Sequence, residues 1–553
     1  MITRHFATID GRDVHYRRAG EGPPVLLIHP SLRSSDVFIE FIEQLSAEFT
    51  VIAPDTPGYG FSQPLREPAP DVSDYADSFI QLIDTLGIKN VGVYGFLTGS
   101  CIAMDLAKRY SNRIAVAVLN NYLLFSEEER EDYLANFAPE LRLSWDGSHL
   151  SWVWARIREQ AIFFPWHRRP IESRVDADLP DANALHGRAI NFLRTGTKYH
   201  LGPQSVFRFN ASAALNECTV PTLLIYPAER PRNVHYARLP RLRPNITAEQ
   251  IEGVECALAR VVAMFEAYPG SFDAAAATQI SDSALSNLVS VNGRYVHLQR
   301  YGQRGRPLLV LHGDAGAVAG LQQECEGFAG ERQVIAIDLP GHGLSDKRSG
   351  NTRLTIQRNA YTVLAILKKL GISDTDIAAF EGGINLALQL CKDKPSLVSS
   401  LGMIAPLYPP APELPRYMKS YAPRIKPEWS GGYLLAAWHF IRDQRLFDPW
   451  FDKTKEAIVW EDPQVDNARV HQMTTDLLQC IEIYQGNYAR SMRFPTCRIS
   501  AAVHCPAVIG TGRWNPRDRQ AVALSRSSGL PLLELGKEPG DWSKMWDQRI
   551  GRR

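Results

Sequence analysis

The chain has 553 residues, more than one ordinary hydrophobic core requires, so two or more domains are expected. Its 61 basic and 60 acidic residues nearly cancel, which argues against a general electrostatic affinity for nucleic acid or for an anionic membrane. No apolar run approaches the roughly 20 residues of a membrane span, and the first residues lack the apolar core of a secretory signal. We therefore expect a cytoplasmic protein that acts on a small molecule or on another protein.

In the first half of the chain, short apolar runs alternate with amphipathic stretches. Residues 74–88 have the spacing of apolar side chains that is typical of a helix packed on one face. Continuous apolar strands that alternate with such helices predict a mostly parallel sheet covered on both faces. The predicted strands are residues 23–29, 49–55, 90–96, 114–120 and 221–227.

The second half repeats this order. His29 and His312 are 283 residues apart, and so are Asp55 and Asp338, each within matching local sequence. Residues 145–166 also align with residues 429–450, so each half contains the same insertion. The predicted strands of the second half are residues 307–313, 333–339, 376–382, 397–405, 506–512 and 531–536.

A segment of small and polar residues separates the two repeats. Residues 268–288 are rich in alanine and serine, which is typical of a linker. We therefore predict two α/β domains, at residues 1–267 and 289–553. Their insertions are expected at about residues 125–215 and 408–500.

Three motifs in each half resemble those of the α/β-hydrolase fold superfamily. They are His29-Pro30, Asp55-x-Pro57-Gly58-x-Gly60-x-Ser62 and Gly95-x-Leu97-x-Gly99, matched by His312-Gly313, Asp338-x-Pro340-Gly341-x-Gly343-x-Ser345 and Ala379-x-Glu381-x-Gly383. The resemblance implies two tandem domains with helical caps, similar to haloalkane dehalogenases and epoxide hydrolases. In such enzymes, a turn displays a Ser, Cys or Asp nucleophile, a late loop supplies an acid, and a histidine follows the last strand.

Both halves depart from this catalytic pattern. The first turn carries Leu97, which has no lone pair for attack, and Val254 stands where Gly-His is usual. The second turn carries Glu381, residues 534–542 contain no histidine, and Asp518 is a candidate acid. The sequence therefore predicts that both halves lack the Ser-His-Asp triad.

The second half keeps ionisable groups at the expected site. By the family geometry, the side chain of Asp314 should approach that of Glu381, so that one of the two carboxylates holds a proton near neutral pH. Such a pair could act as general acid and general base, with the N–H groups of Asp314 and Gly382 near a developing oxyanion. Alternatively, Glu381 points at Arg513 or another cation and only caps the turn.

Other side chains are expected around the two pockets. Ser31, Leu97 and Thr98 would line a filled or apolar pocket in the first half. The caps are rich in aromatic residues, and Trp438 and Trp450 are candidates for the roof of the second pocket, although packing on the core is their default role. No metal ion or cofactor is predicted.

Three functions remain open on the sequence. The first is an acid–base enzyme of the lyase, isomerase, hydration or cyclisation type, acting on a small, largely apolar or aromatic carbonyl compound in the C-terminal pocket. The second is an inactive binding or scaffolding protein. The third is a hydrolase with an atypical nucleophile, and a homo-oligomer is possible in each case.

Overall fold

The computed structural model describes residues 1–228, 232–273, 286–347, 355–460, 465–512 and 516–550. The chain forms two compact units, one of residues 1–142 with 149–284 and the other of residues 143–148 with 285–553. Within the described residues, no helix is both long enough and apolar enough to span a bilayer.

The first unit is built on a mostly parallel sheet. The strand order is β1-β2-β4-β3-β5-β6-β7-β8, with β9 paired to β5. Pairs β1–β2 and β2–β4 are antiparallel, whereas the pairs from β4 through β8 are parallel. The strands are Thr3–Ile9 (β1), Arg12–Ala19 (β2), Pro24–Ile28 (β3), Thr50–Pro54 (β4), Ile88–Phe96 (β5), Ile114–Asn120 (β6), Thr222–Pro227 (β7), Ile246–Ile251 (β8) and Ser271–Phe272 (β9).

Helices cover both faces of this sheet. Successive residues of β3 point to opposite sides, so Leu26 and Ile28 join one buried cluster while Val25 and Leu27 join another. The α-helices are Ile39–Leu45 (α1), Val72–Thr85 (α2), Thr98–Arg109 (α3), Glu127–Asp132 (α4), Ser148–Ile162 (α5), Ala182–Thr195 (α6), Leu201–Arg208 (α7), Ala211–Glu217 (α8) and Val254–Ala267 (α9). Helices α4 to α8 form the insertion between β6 and β7.

The second unit has the same plan. Its strand order is β10-β11-β13-β12-β14-β15-β16-β17, with antiparallel pairing only at β10–β11 and β11–β13 among the described strands. The strands are Ser286–Val291 (β10), Arg294–Tyr301 (β11), Pro307–Leu311 (β12), Gln333–Ile337 (β13), Thr375–Phe380 (β14), Val398–Ile404 (β15), Ala507–Thr511 (β16) and Leu532–Glu534 (β17).

The helices of the second unit also lie on both sheet faces, and some of them form an insertion. They are Gln322–Ala329 (α10), Ile356–Lys369 (α11), Gly383–Asp393 (α12), Leu414–Ser420 (α13), Gly432–Asp443 (α14), Asn467–Gln479 (α15), Tyr484–Arg493 (α16), Thr496–Ser500 (α17), Asp518–Ser528 (α18) and Trp542–Ile550 (α19). Helices α13 to α17 form the insertion between β15 and β16. The predicted α/β class with a mostly parallel sheet in each half is confirmed.

Candidate functional site

A sharp turn joins the central strand to the following helix in each half. Leu97, between β5 and α3, has φ 52°, and Glu381, between β14 and α12, has φ 51°. Residues other than glycine rarely adopt this backbone region, and it is the conformation that lifts a residue out of the sheet toward the carboxyl ends of the strands. In both halves the N–H of that residue donates to a carbonyl at 3.0 Å, Asn120 O and Ile404 O respectively.

Close backbone packing fixes the glycine two residues after each turn. A Cβ on Gly99 would lie 2.2 Å from Ile28 O, and one on Gly383 would lie 2.6 Å from both Leu311 O and His312 O. The helix therefore approaches the first loop more closely than any side chain would allow. The turn keeps its shape in both halves, whatever side chain it displays.

The two motif histidines hold backbone rather than substrate. Nδ1 of His29 donates to Pro30 O at 2.9 Å, while Nε2 accepts from Thr56 N at 2.8 Å. His312 makes the equivalent bonds to Gly313 O and from Leu339 N, at 2.8 and 2.9 Å. Burial lowers the pKa of both histidines, which favours the neutral ring that these bonds require. Each histidine therefore holds its own loop against the residue that follows the neighbouring strand.

The cavity beside Glu381 is more charged than the sequence suggested. It has a volume of about 80 Å³ and lies between the sheet edge and the insertion of the second half. Apolar side chains such as Phe380 and Ile441 share its wall with many polar ones. The charged and hydrogen-bonding residues of the wall are His312, Glu324, Glu381, Gln444, Arg445, Arg469, Asp476, Tyr488 and Arg517.

Glu381 is paired with a buried cation. Its Oε1 lies 2.8 Å from Nη1 of Arg517, whose Nη2 also donates to Tyr421 Oη at 2.7 Å and to Gln444 Oε1 at 2.9 Å. Burial lowers the pKa of Arg517, but Glu381, Tyr421 and Tyr488 together outweigh this effect, and the pKa stands well above its ordinary value. The cation that the sequence left open is thus Arg517, whereas Arg513 lies outside the described residues.

Asp314 lies behind Glu381 in a separate, smaller cavity with Gly382 and Ser491. Burial raises its pKa to about 7, and the charge of Glu381 adds to the shift. Ser491 Oγ donates to Oδ1 at 2.6 Å, while Oδ2 has no hydrogen-bond partner among the described residues. The structure therefore places the two carboxylates close enough to interact but does not bring both into one cavity.

Sequence reasoning missed two groups in the wall of the larger cavity. Asp476, on α15, is buried, and burial raises its pKa to about 7. Arg445 follows α14, and the hydrogen bond of its guanidinium within the described part of the chain goes to Met473 Sδ at 3.2 Å. A signal existed, because the aligned insertions put Arg445 opposite Ala161.

The other predicted residues of the second half lie away from this cavity. Trp438 is 1% exposed inside the insertion. Trp450 donates from Nε1 to Tyr421 O at 2.8 Å, and neither indole is part of the cavity wall. Asp518 accepts hydrogen bonds from Gly512 N and from Thr511 Oγ1, so it fixes the end of β16.

The first half has a larger cavity at the same place in the fold. It has a volume of about 310 Å³, and Ser31, Leu97 and Thr98 are part of its wall together with Arg33 and Arg188. The N–H of Ser31 donates to Thr98 Oγ1 at 2.5 Å. This N–H belongs to the loop that supplies an oxyanion donor in hydrolases of this architecture, and here the protein's own hydroxyl accepts its hydrogen bond.

A comparison with protein families agrees with the fold. A family model described as alpha/beta hydrolase fold matches residues 23–226 and 306–442. A crystal structure of E-2-(acetamidomethylene)succinate hydrolase is 20% identical in sequence and has a TM-score of 0.36. The alignment covers 48% of this chain and 100% of the hydrolase chain. The epoxide hydrolase VrEH1 of Vigna radiata is 19% identical, covers 48% of this chain and 97% of its own, and has a TM-score of 0.38.

Two curated relatives are hydrolases. The (E)-2-((N-methylformamido)methylene)succinate hydrolase of Acinetobacter baylyi is 33% identical over 138 residues, which are 24% of this chain and 50% of that protein. The soluble epoxide hydrolase of Corynebacterium sp. is 38% identical over 113 residues, 20% of this chain and 38% of that protein. The chain spans half or less of the length of these relatives.

Proposed function

The chain belongs to the α/β-hydrolase fold family, and from that premise we propose that its second half is an enzyme active site for acid–base chemistry on a small carbonyl compound. The observation that carries the proposal is Glu381: the strained turn holds its carboxylate at the cavity beside the Arg517 guanidinium. An ionised carboxylate that faces a small enclosed space can take a proton from a bound substrate. We also propose that neither half uses a Ser-His-Asp triad.

The acids around Glu381 support this division of roles. Asp314 and Asp476 each have a pKa raised to about 7 by burial, so both hold protons below about pH 7. Glu381 instead forms an ion pair, with its Oε1 2.8 Å from Nη1 of Arg517. Acid–base catalysis requires one group that holds a proton and another that can accept one, and carboxyl groups in different environments can fill both roles. Glu381 is the proposed base, and Asp314 is the proposed proton-holding acid behind it.

The wall of the cavity points to a substrate that carries a negative charge. Arg445 faces the cavity with a thioether as its hydrogen-bond partner, while Arg469 is paired with Glu324 at 2.6 Å. A guanidinium without a carboxylate is suited to bind one from a ligand. We therefore propose a small carbonyl compound with an anionic group, instead of the largely apolar compound expected from the sequence. Helices α13 to α17 would act as its cap.

Mass spectrometry of a metabolite mixture tests the proposal. The wild-type protein and the Glu381→Gln variant are incubated with the same cell extract, and compounds that change in amount are compared. We expect a conversion that Glu381→Gln reduces at least 100-fold, because the amide cannot accept the proton. Glu456→Gln is the matched control, since the Glu456 side chain is 69% exposed.

Three outcomes would contradict the proposal. Conversion at the wild-type rate by Glu381→Gln would remove Glu381 from the chemistry. Retention of a compound by both proteins, with no conversion, would favour a binding protein instead. A covalent adduct on the intact protein would favour the hydrolase with an atypical nucleophile.

A further inference from the structure

We propose that the cavity of the first half binds a small aromatic carboxylate and does not convert it. Arg33 and Arg188 would hold the carboxylate, and aromatic side chains of the insertion would enclose the ring. This site is distinct from the proposed active site beside Glu381, so it does not depend on the proposed function.

Two arginines line this cavity, and the ion pairs of the described residues include neither of them. They are Arg33, in the loop after β3, and Arg188, on α6. The pKa of Arg188 is lowered, first by burial and then by the charge of Arg33, so the two groups repel each other. An anion placed between them would relieve that repulsion.

Acids near the cavity are engaged elsewhere. Asp36 accepts from Ser34 Oγ at 2.6 Å and from Asn191 Nδ2 at 3.2 Å. Asp132 is paired with His167 and Arg168, at 2.7 and 2.9 Å. Among the described residues, these two carboxylates therefore bind other side chains, and neither forms an ion pair with Arg33 or Arg188.

A third arginine adds positive charge behind the wall. Arg156 is 1% exposed and lies over the rings of Phe137 and Trp166, with its Cζ 5.2 and 4.8 Å from their centroids. It donates to Gln160 Oε1, and Gln160 lines the cavity. Burial lowers the pKa of Arg156 to about 9, which still leaves it charged at neutral pH. The field in the cavity therefore favours an anion.

The rest of the wall suits an aromatic ring. Phe125, Tyr133, Phe137 and Phe207 line the cavity and pack on one another with ring centroids 5.0–5.4 Å apart. Such a group offers both faces and edges for stacking with a ligand ring. The cavity volume of about 310 Å³ is large enough for a single-ring acid.

The turn in this half argues against conversion of the ligand. Leu97 cannot attack, and the Ser31 N–H that would stabilise an oxyanion donates to Thr98 Oγ1. A bound carboxylate therefore meets no nucleophile at the turn position, and this N–H is already bound to Thr98. Binding without reaction is the expected behaviour.

The arginine on α6 has no counterpart at the matching position of the second half. Arg188 lies seven residues after Asp181, the N-cap of α6, and the residue seven after Asp466, the N-cap of α15, is Met473. Met473 thus occupies the position in the second half that Arg188 occupies in the first. Arg188→Met is therefore a suitable test substitution, because it removes the cation and introduces the side chain found at the matching position of the repeat.

Calorimetric titration of the full chain with 3-phenylpropionate tests the inference. We expect saturable binding at one site, weakened at least 10-fold in Arg188→Met and in Arg33→Gln, and the neutral probe 3-phenylpropionamide should bind at least 10-fold more weakly than the acid. The matched control is Arg169→Met, because the Arg169 side chain is 62% exposed and away from the cavity wall. Circular dichroism and the melting temperature show that each variant folds.

Four results would overturn the inference. Equal affinity for the acid and the amide would remove anion recognition. Loss of binding in Arg445→Ala, with Arg188→Met unaffected, would place the ligand in the second half. Binding of phenyl phosphate but not of 3-phenylpropionate would replace the carboxylate with a phosphate ester. Slow consumption of bound 3-phenylpropionate would contradict binding without conversion.

Discussion

At the scale of single residues, the burial of Asp314 makes the free energy of unfolding depend on pH. Asp314 has a pKa of about 7 against an ordinary value of 3.8, mainly because it is buried. Between these two pH values the folded chain holds a proton that the unfolded chain has released. The free energy of unfolding contributed by this group therefore falls as pH rises from about 4 to 7.

Asp314→Asn should remove this fall in the free energy of unfolding, because the amide does not titrate. We expect the free energy of unfolding of the variant, relative to wild type, to rise between pH 4 and 7 by about 2–4 kcal/mol and to be constant above. Urea titrations across this pH range measure it. Asp452→Asn is a control of opposite sign, because Arg416 lowers the pKa of Asp452. A difference that does not change with pH would contradict the raised pKa of Asp314.

A second prediction concerns the strained turn of the first half. Leu97→Ala and Leu97→Gly remove the same apolar contacts, but only glycine adopts φ 52°, ψ −117° without strain. We expect the glycine variant to be the more stable by about 1 kcal/mol or more, which reverses the usual order of the two residues. Chemical denaturation of both variants checks this. An alanine variant of higher stability would show that the turn relaxes.

At the scale of elements, the contact between α3 and β3 depends on a missing side chain. In Gly99→Ala, the new Cβ would lie 2.2 Å from the Ile28 carbonyl, so the helix must move away from the strand. We expect a loss of about 2–4 kcal/mol in the free energy of unfolding. The melting temperature of the full chain reports it.

Gly187→Ala on α6 is the matched control for this substitution. A Cβ on Gly187 would have no atom within 4 Å, so the same chemical change should stabilise the helix by about 1 kcal/mol. Equal effects of Gly99→Ala and Gly187→Ala on the free energy of unfolding would mean that α3 can move away from β3 without loss of stability.

The elements themselves were largely predictable from the sequence, whereas the charged side chains that the insertions contribute to the cavities were not. Apolar runs such as residues 23–29 and 307–313 became β3 and β12, because a buried parallel strand needs little beyond local apolar sequence. The strained positions Leu97 and Glu381 followed from a motif. The cations Arg188 and Arg445 were missed because their role depends on how insertion helices pack over a distant sheet edge. Trp438 and Trp450 were named as aromatic residues of the cap, with packing on the core as their default role, and neither is part of the cavity wall.

At the scale of the whole molecule, each unit has its own buried clusters. Phe79 and Leu119 belong to a cluster of the first unit, and Ile366 and Leu388 belong to one of the second. Units with separate cores can fold independently. The predicted domains, residues 1–267 and 289–553, remain a proposal that this property makes testable.

A fragment of residues 1–273 should fold without the second half. We expect helical and strand circular dichroism, a single cooperative thermal transition, and the same affinity for 3-phenylpropionate as the full chain if the carboxylate site lies in this half. Differential scanning calorimetry measures the transition. A fragment without a cooperative transition would mean that the first half requires the second for stability.

The hydrogen bond from Ser31 N to Thr98 Oγ1 has a consequence for protein engineering. A serine installed at position 97 would stand on a backbone already shaped to present it, yet its reaction would lack an oxyanion donor while Thr98 remains. The second half carries Gly382 at the position after its turn, so Thr98→Gly is the change that the repeat itself suggests. Hydrolytic chemistry in this half would therefore need a change at residue 98 to free the Ser31 N–H, a nucleophile in place of Leu97, and a general base, because Val254 stands where a histidine is usual.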